Sequence, residues 1–172
     1  MCGHATLAAA FVALGPALHP GDAPDAVVFD SKSGALGVAR RPDGLLELDF
    51  PSRPPVAVAE ADVPPELLRG LGLPRAAALY VGKARDYLVV LPSPADVARI
   101  VPDFSALSHV DALCVIVAAA GGEGSYVTSR VFCPNCGVPE DPVVGWPHKT
   151  LCRHPLTLTL TQANTSQAHK LS

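Results

Sequence analysis

Hydrophobic residues are concentrated in the first fifteen positions of the chain and return in shorter runs after them. From Cys2 to Leu14 nearly every residue is apolar, several are Ala, and Gly15 and Pro16 follow. An Ala-rich segment that ends at a Gly-Pro pair predicts a helix. Because this helix would be apolar on nearly every side, we expect it to be buried.

Three short runs of alternating or β-branched residues come next, separated by Gly, Asp and Pro. They are DAVVFDS at 25–31, ALGVARR at 35–41 and LLELDFP at 45–51. Alternation with a period of two is typical of strands, and the sequence RPDG is typical of a turn. The pattern therefore predicts antiparallel strands joined as hairpins.

A proline-rich span at 51–66 is the best candidate for a boundary between two halves of the chain. The pattern beyond it predicts, in order, a short helix that begins near Pro65, two strands within 78–93, one or two short helices within 93–108, a buried strand at 111–120 and a strand with alternating faces at 124–134.

The last part of the chain gives a mixed pattern. A second buried helix is expected after EDPVVG at 140–145, but Pro155 ends any helix that begins there. The run LTLTLT at 156–161 alternates like a strand, and the residues after it form a polar tail.

Charge, hydrophobicity and cysteine content limit the partners and the cellular location that we expect for this protein. The net charge is −3 with 13 scattered Lys and Arg, so a nucleic acid partner is not expected. The apolar N-terminal run lacks the basic residues that begin a signal peptide and is too short to span a bilayer, so we expect no membrane partner. Five cysteines are an odd number, which favours reduced thiols and a cytoplasmic location. They are Cys2, Cys114, Cys133, Cys136 and Cys152.

The C-x-x-C pair of Cys133 and Cys136 leaves three interpretations open. With His148 and Cys152 it could offer four zinc ligands, but the segment between lacks the hairpin and helix of a zinc finger. A thioredoxin-like redox pair begins a helix, whereas this pair is followed by a loop sequence. Two incidental thiols at the end of a strand are the third interpretation, and we expect no metal.

Two polar residues are candidates for a functional site. His4 lies at the start of the first predicted helix, where the helix dipole favours the neutral ring, which could donate a hydrogen bond to an anionic substrate. Its spacing alone favours a histidine that caps the helix or packs in the core. Asp141 precedes Pro142 in a predicted turn beside Glu140, where the two acids could form a paired-carboxylate site. An exposed turn acid is the commoner role for such a residue.

Four segments together resemble consecutive signatures of the PhzF-like (phenazine biosynthesis-like) isomerase family. They are CGHATLAAAFVALG at 2–15, LELDFPSRP at 46–54, LYVGKARDYLVVLPS at 79–93 and SRVFCPNCGVPEDPVVG at 129–145. The first and last segments are specific, and the middle two support them. The segments occur in the family's order and cover roughly residues 1–145.

The resemblance implies an α+β fold of the diaminopimelate epimerase-like kind. Each of two similar halves would have an antiparallel sheet around a central helix, with both halves incomplete here. The halves would be 1–60 and 61–155, with 156–172 as a divergent tail. The helix starts of both halves would face a cleft that binds a small carboxylated metabolite. The family's chemistry is isomerisation by proton transfer without a cofactor, with a Glu as the acid/base, and its members are often homodimers.

Matching the motifs residue by residue gives the expected site. His4 matches the cleft histidine of the G-H-A/P-T motif, and Asp141 matches the cleft aspartate of E-D-P-V. Gly3 and Gly145 match glycines at the two helix starts, where substrate would bind. Cys2 takes the place of a catalytic thiol in related epimerases, a position that varies among PhzF-like proteins.

Two departures from the family pattern lower the expected activity. The family's acid/base Glu lies upstream of C-G-H-A-T, and the sequence has only Met1 there. The family's G-S-A-H becomes Gly145-Trp146-Pro147-His148, so Trp146 replaces a cleft serine, and beyond His148 we expect the resemblance to end. We therefore expect a shortened family member with little or no isomerase activity, and as the alternative a non-catalytic binding or self-associating protein.

Overall fold

The computed structural model describes residues 3–32, 34–50, 53–121 and 127–142. Contacts between residues divide the chain into two units. The described part of the first unit is 3–32 and 34–50, and that of the second is 53–121 and 127–142. The predicted division into 1–60, 61–155 and 156–172 stays a prediction, because the last segment lies outside the described residues.

The first unit consists of one helix and one antiparallel sheet. Helix α1 spans Gly3–Ala13. The sheet has the order β1-β2-β3, with strands at Ala26–Ser31, Gly34–Arg40 and Leu46–Asp49. Both hairpins occur where the alternating runs and the RPDG turn predict them.

Glycine makes both of these hairpin turns possible. Ser31 pairs with Gly34 at the end of the first hairpin, and Gly34 has a φ of 98°. Gly44 ends the second turn with a φ of 82° and donates its N–H to the Arg41 carbonyl at 2.9 Å. These φ values lie in the left-handed region, where a residue with a Cβ is strained.

The expectation that the first helix is buried was wrong. α1 packs against all three strands of its sheet, yet within the helix only Gly3 and Ala10 are buried. Phe11 is 71% exposed and Val12 is 52% exposed. A sheet on one side covers one face of a helix, so the uniformly apolar sequence leaves apolar side chains on the other face.

The second unit contains a six-stranded sheet in the order β4-β5-β6-β7-β8-β9. Its strands span Val56–Ala57, Tyr80–Lys83, Tyr87–Val90, Val115–Ala120, Val127–Cys133 and Val138–Glu140. Its helices α2, α3 and α4 span Pro65–Gly70, Pro94–Arg99 and Phe104–Ser108. Each of these elements, apart from the short β4 and β9, was predicted from the hydrophobic pattern.

One strand pair corrects the expectation of a purely antiparallel sheet. β6 and β7 run parallel, with Tyr87 opposite Val115 and Val90 opposite Ala118. Parallel neighbours need a crossover connection, and residues 91–114 supply it through α3 and α4. Side-chain caps start both crossover helices: Ser93 accepts from the Asp96 N–H, and Asp103 accepts from the Ala106 N–H.

The hydrophobic core of the second unit lies between the crossover helices, α2 and the middle strands. β6 is buried at all four positions and β7 at its first five, as expected for strands that are covered on both faces. The largest fully buried side chains of this core are Phe132, Leu67, Leu71, Leu91 and Leu107.

Candidate functional site

His4 occupies the first turn of α1, as the sequence predicts. It is the second residue of the helix, directly after the buried Gly3, and it is exposed. The first turn of α1 contains no acidic residue. Because the first N–H groups of a helix lack intrahelical partners and carry a partial positive charge, this end of α1 suits an anion.

Asp141 lies directly after β9 in the second unit. Its backbone N–H donates to the Val131 carbonyl of β8 at 3.0 Å, and the residue is half-buried. Pro142 follows and restricts the Asp141 backbone to extended conformations. The position of the aspartate is thus set by a strand end and not by a free turn, which corrects the view of it as an ordinary exposed turn acid.

Arg130 holds the strand that leads to Asp141. Its guanidinium donates to both carboxylate oxygens of Glu140, with Nε–Oε1 at 2.7 Å and Nη2–Oε2 at 2.9 Å. Nη1 donates to the Ile100 carbonyl at 2.7 Å, at the end of α3. The guanidinium carbon also lies 4.9 Å from the centre of the Phe132 ring. One side chain therefore ties β8, β9 and the end of α3 together next to the candidate aspartate.

The Arg130–Glu140 pair shifts the titration of both groups. The hydrogen bond from Arg130 lowers the pKa of Glu140 below its ordinary value, and burial opposes this effect. The hydrogen bond to Glu140 raises the pKa of Arg130. Glu140 is therefore held as a carboxylate partner of Arg130, which makes it a poor candidate for a group that moves protons at neutral pH.

The expected site residues fall into both units. Gly3 and His4 adjoin in α1 of the first unit, and Asp141 directly follows β9 in the second. Gly145, Trp146 and Cys2 lie outside the described residues. The role of Arg130 was missed from the sequence. The one sequence signal for this role was that Arg130 is a charged residue within the alternating strand sequence SRVFC.

The second unit also has a cavity of about 440 Å³. Apolar residues including Leu91 and Ile100 line it, together with Asp96 and Arg99. These two charged residues pair with each other at 3.4 Å. Neither His4 nor Asp141 lines this cavity, so it is separate from the expected site.

The cysteines correct the expectation of reduced thiols. Cys133 ends β8 and forms a disulfide with Cys114, not with its C-x-x-C neighbour Cys136.

Within the described ranges no group of three or more His, Cys, Asp or Glu residues is placed to hold a metal ion. His148 and Cys152, the other proposed zinc ligands, lie outside those ranges. A search of the same residues for a helix long and apolar enough to cross a membrane found none.

Comparisons with known proteins identify the family. The model of the phenazine biosynthesis-like (PhzC-PhzF) family matches residues 1–170, so the chain belongs to this family. The match continues past His148, where the sequence segments led us to expect it to end.

Two of the most similar solved structures are a PhzF family protein of Enterococcus faecalis and a putative PhzC/PhzF protein of Clostridium difficile. Their TM-scores are 0.74 and 0.73 at 34% and 29% identity, and the matches cover 95% of this chain and 57% of each of theirs. The expected α+β, diaminopimelate epimerase-like fold is confirmed.

Curated relatives are isomerases by name. Two uncharacterized isomerases of Pseudomonas aeruginosa are 43% and 40% identical to the chain, over 88% of it in each case. An uncharacterized isomerase of Halalkalibacterium halodurans is 39% identical over 86% of the chain. The matches cover 54% of each of these proteins, so the chain spans about half the length of the curated relatives it matches.

Proposed function

We propose that the chain carries part of an isomerase site that binds a small carboxylated metabolite and shifts a proton within it, without a cofactor. The observation that carries this proposal is the family match together with the placement of His4 in the first turn of α1. The His4 ring and the helix N–H groups would bind the carboxylate. Asp141, directly after β9, matches the aspartate of the family's E-D-P-V motif, and its carboxylate would serve as a hydrogen-bond acceptor.

The polypeptide of residues 1–172 should turn over such a substrate slowly or not at all. Trp146 stands where the resemblance places the family's cleft serine, and a bulky indole in place of a small hydroxyl group would hinder the substrate from entering.

A deuterium-incorporation assay tests this proposal. Small carboxylic acids are incubated with the pure 172-residue chain in D₂O, and hydrogen exchange at carbon is followed by NMR. We expect incorporation at the rate of the buffer alone, and clear incorporation with a full-length Pseudomonas aeruginosa relative under the same conditions. Turnover by the 172-residue chain that disappears in Asp141→Asn but persists in Asp111→Asn, an exposed control, would contradict the expected inactivity and support the isomerase assignment.

Self-association is the second candidate function, and the exposed apolar face of α1 favours it. Phe11 and Val12 expose 71% and 52% of their surface, and burying such side chains against a second copy would stabilise a homodimer by about 25 cal/mol per Å² of apolar area. Phe11→Glu should then lower the mass measured by light scattering, whereas Val101→Glu, at a residue 83% exposed in the second unit, should not. Equal masses for both variants and the parent chain would exclude association through α1.

A further inference from the structure

Three cysteines of the second unit lie together, although they are distant in sequence. Cys114 directly precedes β7, and Cys133 is the last residue of β8. Val115 of β7 pairs with Phe132 of β8. Because the strands are antiparallel, Cys114, which precedes Val115, lies opposite Cys133, which follows Phe132, and the two form a disulfide. Cys136 follows in a short 3-10 turn, Pro134–Cys136, and its Sγ lies 4.0 Å from the Sγ of Cys114.

The turn that carries Cys136 is fixed against the loop before β7. Asn135 donates from Nδ2 to the Ala112 carbonyl at 2.9 Å, and the Cys136 thiol lies 3.7 Å from the Leu113 carbonyl. On the other side, the Cys114 N–H donates to the buried Asp86 carboxylate at 3.0 Å. Contacts on both sides therefore hold the third sulfur next to the disulfide, so little chain entropy is lost in bringing them together.

The three sulfurs differ in their access to solvent. Cys114 and Cys133 are 3% and 4% exposed, whereas Cys136 is an exposed free thiol. Thiol–disulfide exchange needs a thiol close to a disulfide sulfur and proceeds through a three-sulfur arrangement. The described residues provide such an arrangement.

We propose that Cys114, Cys133 and Cys136 form a thiol–disulfide exchange site with two alternative disulfides. The Cys136 thiol loses its proton, and the thiolate attacks the Sγ of Cys114. A Cys114–Cys136 bond forms, the Cys114–Cys133 bond breaks, and its electron pair leaves on the Sγ of Cys133, which takes up a proton. The number of disulfides and thiols is unchanged, so the step needs no oxidant or reductant.

The exchange moves the free thiol between an exposed and a buried position. With the Cys114–Cys133 bond in place, the thiol of Cys136 can react with small disulfides or alkylating agents. With the Cys114–Cys136 bond in place, the free thiol is the buried Cys133, which such reagents reach slowly. The proposal concerns the reactivity of the second unit and does not depend on the isomerase function.

Mapping of the free thiol in the full 172-residue chain tests the proposal. The non-reduced protein is held at neutral pH for hours, the time scale of uncatalysed disulfide rearrangement. It is then quenched in acid, unfolded and labelled with a maleimide. Trypsin cleaves after Arg130, so one peptide holds both Cys133 and Cys136, and fragment ions from the peptide bonds between them locate the label.

We expect label on both residues, because the two disulfides share Cys114 and compete directly for it. Cys133→Ser should form a Cys114–Cys136 disulfide, and the matched control Cys136→Ser should contain only the Cys114–Cys133 disulfide. Label confined to Cys136 in the parent chain would overturn the proposal, as would label on all three cysteines. If Cys133→Ser does not fold, as judged by circular dichroism, the label distribution in the parent chain still decides the question.

Discussion

The two units use similar apolar content in different ways. In the first unit, α1 is apolar along its length and still exposes Phe11 and Val12. In the second unit, short helices and strands enclose a continuous core in which Leu67, Val89 and Val117 have no exposed surface. Apolar composition alone therefore does not bury a helix, because burial also requires elements on more than one of its sides.

The largest expected effect comes from shortening the same aromatic residue in each unit. Phe132 is fully buried and packs edge-to-face against Phe104 at 6.3 Å between ring centres. Phe132→Ala should lower the free energy of unfolding by about 3–5 kcal/mol, because it leaves a cavity in the core. Phe11→Ala, at the exposed position of α1, should change it by less than about 0.5 kcal/mol.

Urea denaturation followed by circular dichroism measures both variants. Equal losses for Phe11→Ala and Phe132→Ala would mean that α1 is as well enclosed as the core of the second unit. The comparison between the units would then fail.

A buried acid and an exposed acid give the second comparison, this time within the second unit. Asp86 is 3% exposed and accepts hydrogen bonds from the Cys114 N–H at 3.0 Å and from Arg85 Nε at 2.7 Å. Asp86→Ala should cost about 3 kcal/mol, since it leaves the buried N–H without its acceptor. Asp111→Ala should cost less than about 1 kcal/mol, because its ion pair with Lys83 lies at the surface. Thermal melts of both variants check the difference, and a small effect of Asp86→Ala would show that the carboxylate does not hold the loop before β7.

The sequence predicted elements that depend on neighbouring residues better than pairings between residues that are distant in sequence. The hairpin of β1 and β2 and the start of α2 at Pro65 follow from local signals, namely alternating residues, glycines and a proline suited to a first helical turn. The parallel pairing of β6 with β7 depends on where a crossover returns to the sheet, which no local pattern fixes. The disulfide partner of Cys133 likewise depends on the register of β7 against β8.

The same contrast between local and distant signals holds for the residues of the candidate site. His4 and Asp141 were proposed because each lies in a short motif that resembles the family's, and their roles stay predictions. Arg130 was missed because its partners, Glu140 and the end of α3, are up to 33 residues away in sequence. Exposure of α1 was also missed, since periodicity shows which residues are apolar but not how many neighbouring elements cover them.

Adding a methyl group at a glycine tests how closely each unit is packed. A Cβ at Gly70 would lie 2.6 Å from Cδ2 of Leu107 and 3.1 Å from the backbone nitrogen of Leu107. Gly70→Ala should therefore destabilise by about 1–3 kcal/mol, because α2 and α4 must move apart. A Cβ at Gly37 in β2 would meet no atom within 4 Å, so Gly37→Ala should be neutral or slightly stabilising. Urea midpoints of the two variants decide the matter, and equal midpoints would show that the helices of the second unit separate at little cost.

The smallest expected effect is the pH dependence of the Arg130–Glu140 pair. The hydrogen bond from Arg130 lowers the pKa of Glu140 below its ordinary value of 4.5. A carboxyl group whose pKa is lower in the folded state stabilises the protein above the unfolded pKa, and this contribution is lost as pH falls through the folded pKa. The side chains are 25% and 36% exposed, so solvent screening should limit the contribution to about 1 kcal/mol.

Glu140→Gln should consequently be less stable than the parent chain at pH 7, and the difference should shrink as pH falls below about 4.5. Glu60→Gln is the matched control, because Glu60 also pairs with an arginine but its side chain is 84% exposed. Its free energy of unfolding at pH 7 should lie within about 0.5 kcal/mol of that of the parent chain. A constant difference for Glu140→Gln from pH 7 to pH 3 would mean that Glu140 contributes through packing and not through its charge. In that case the bonds of Arg130 to the Val97 and Ile100 carbonyls would still tie β8 to the end of α3, and the charge of Glu140 would add little to the hold on β9.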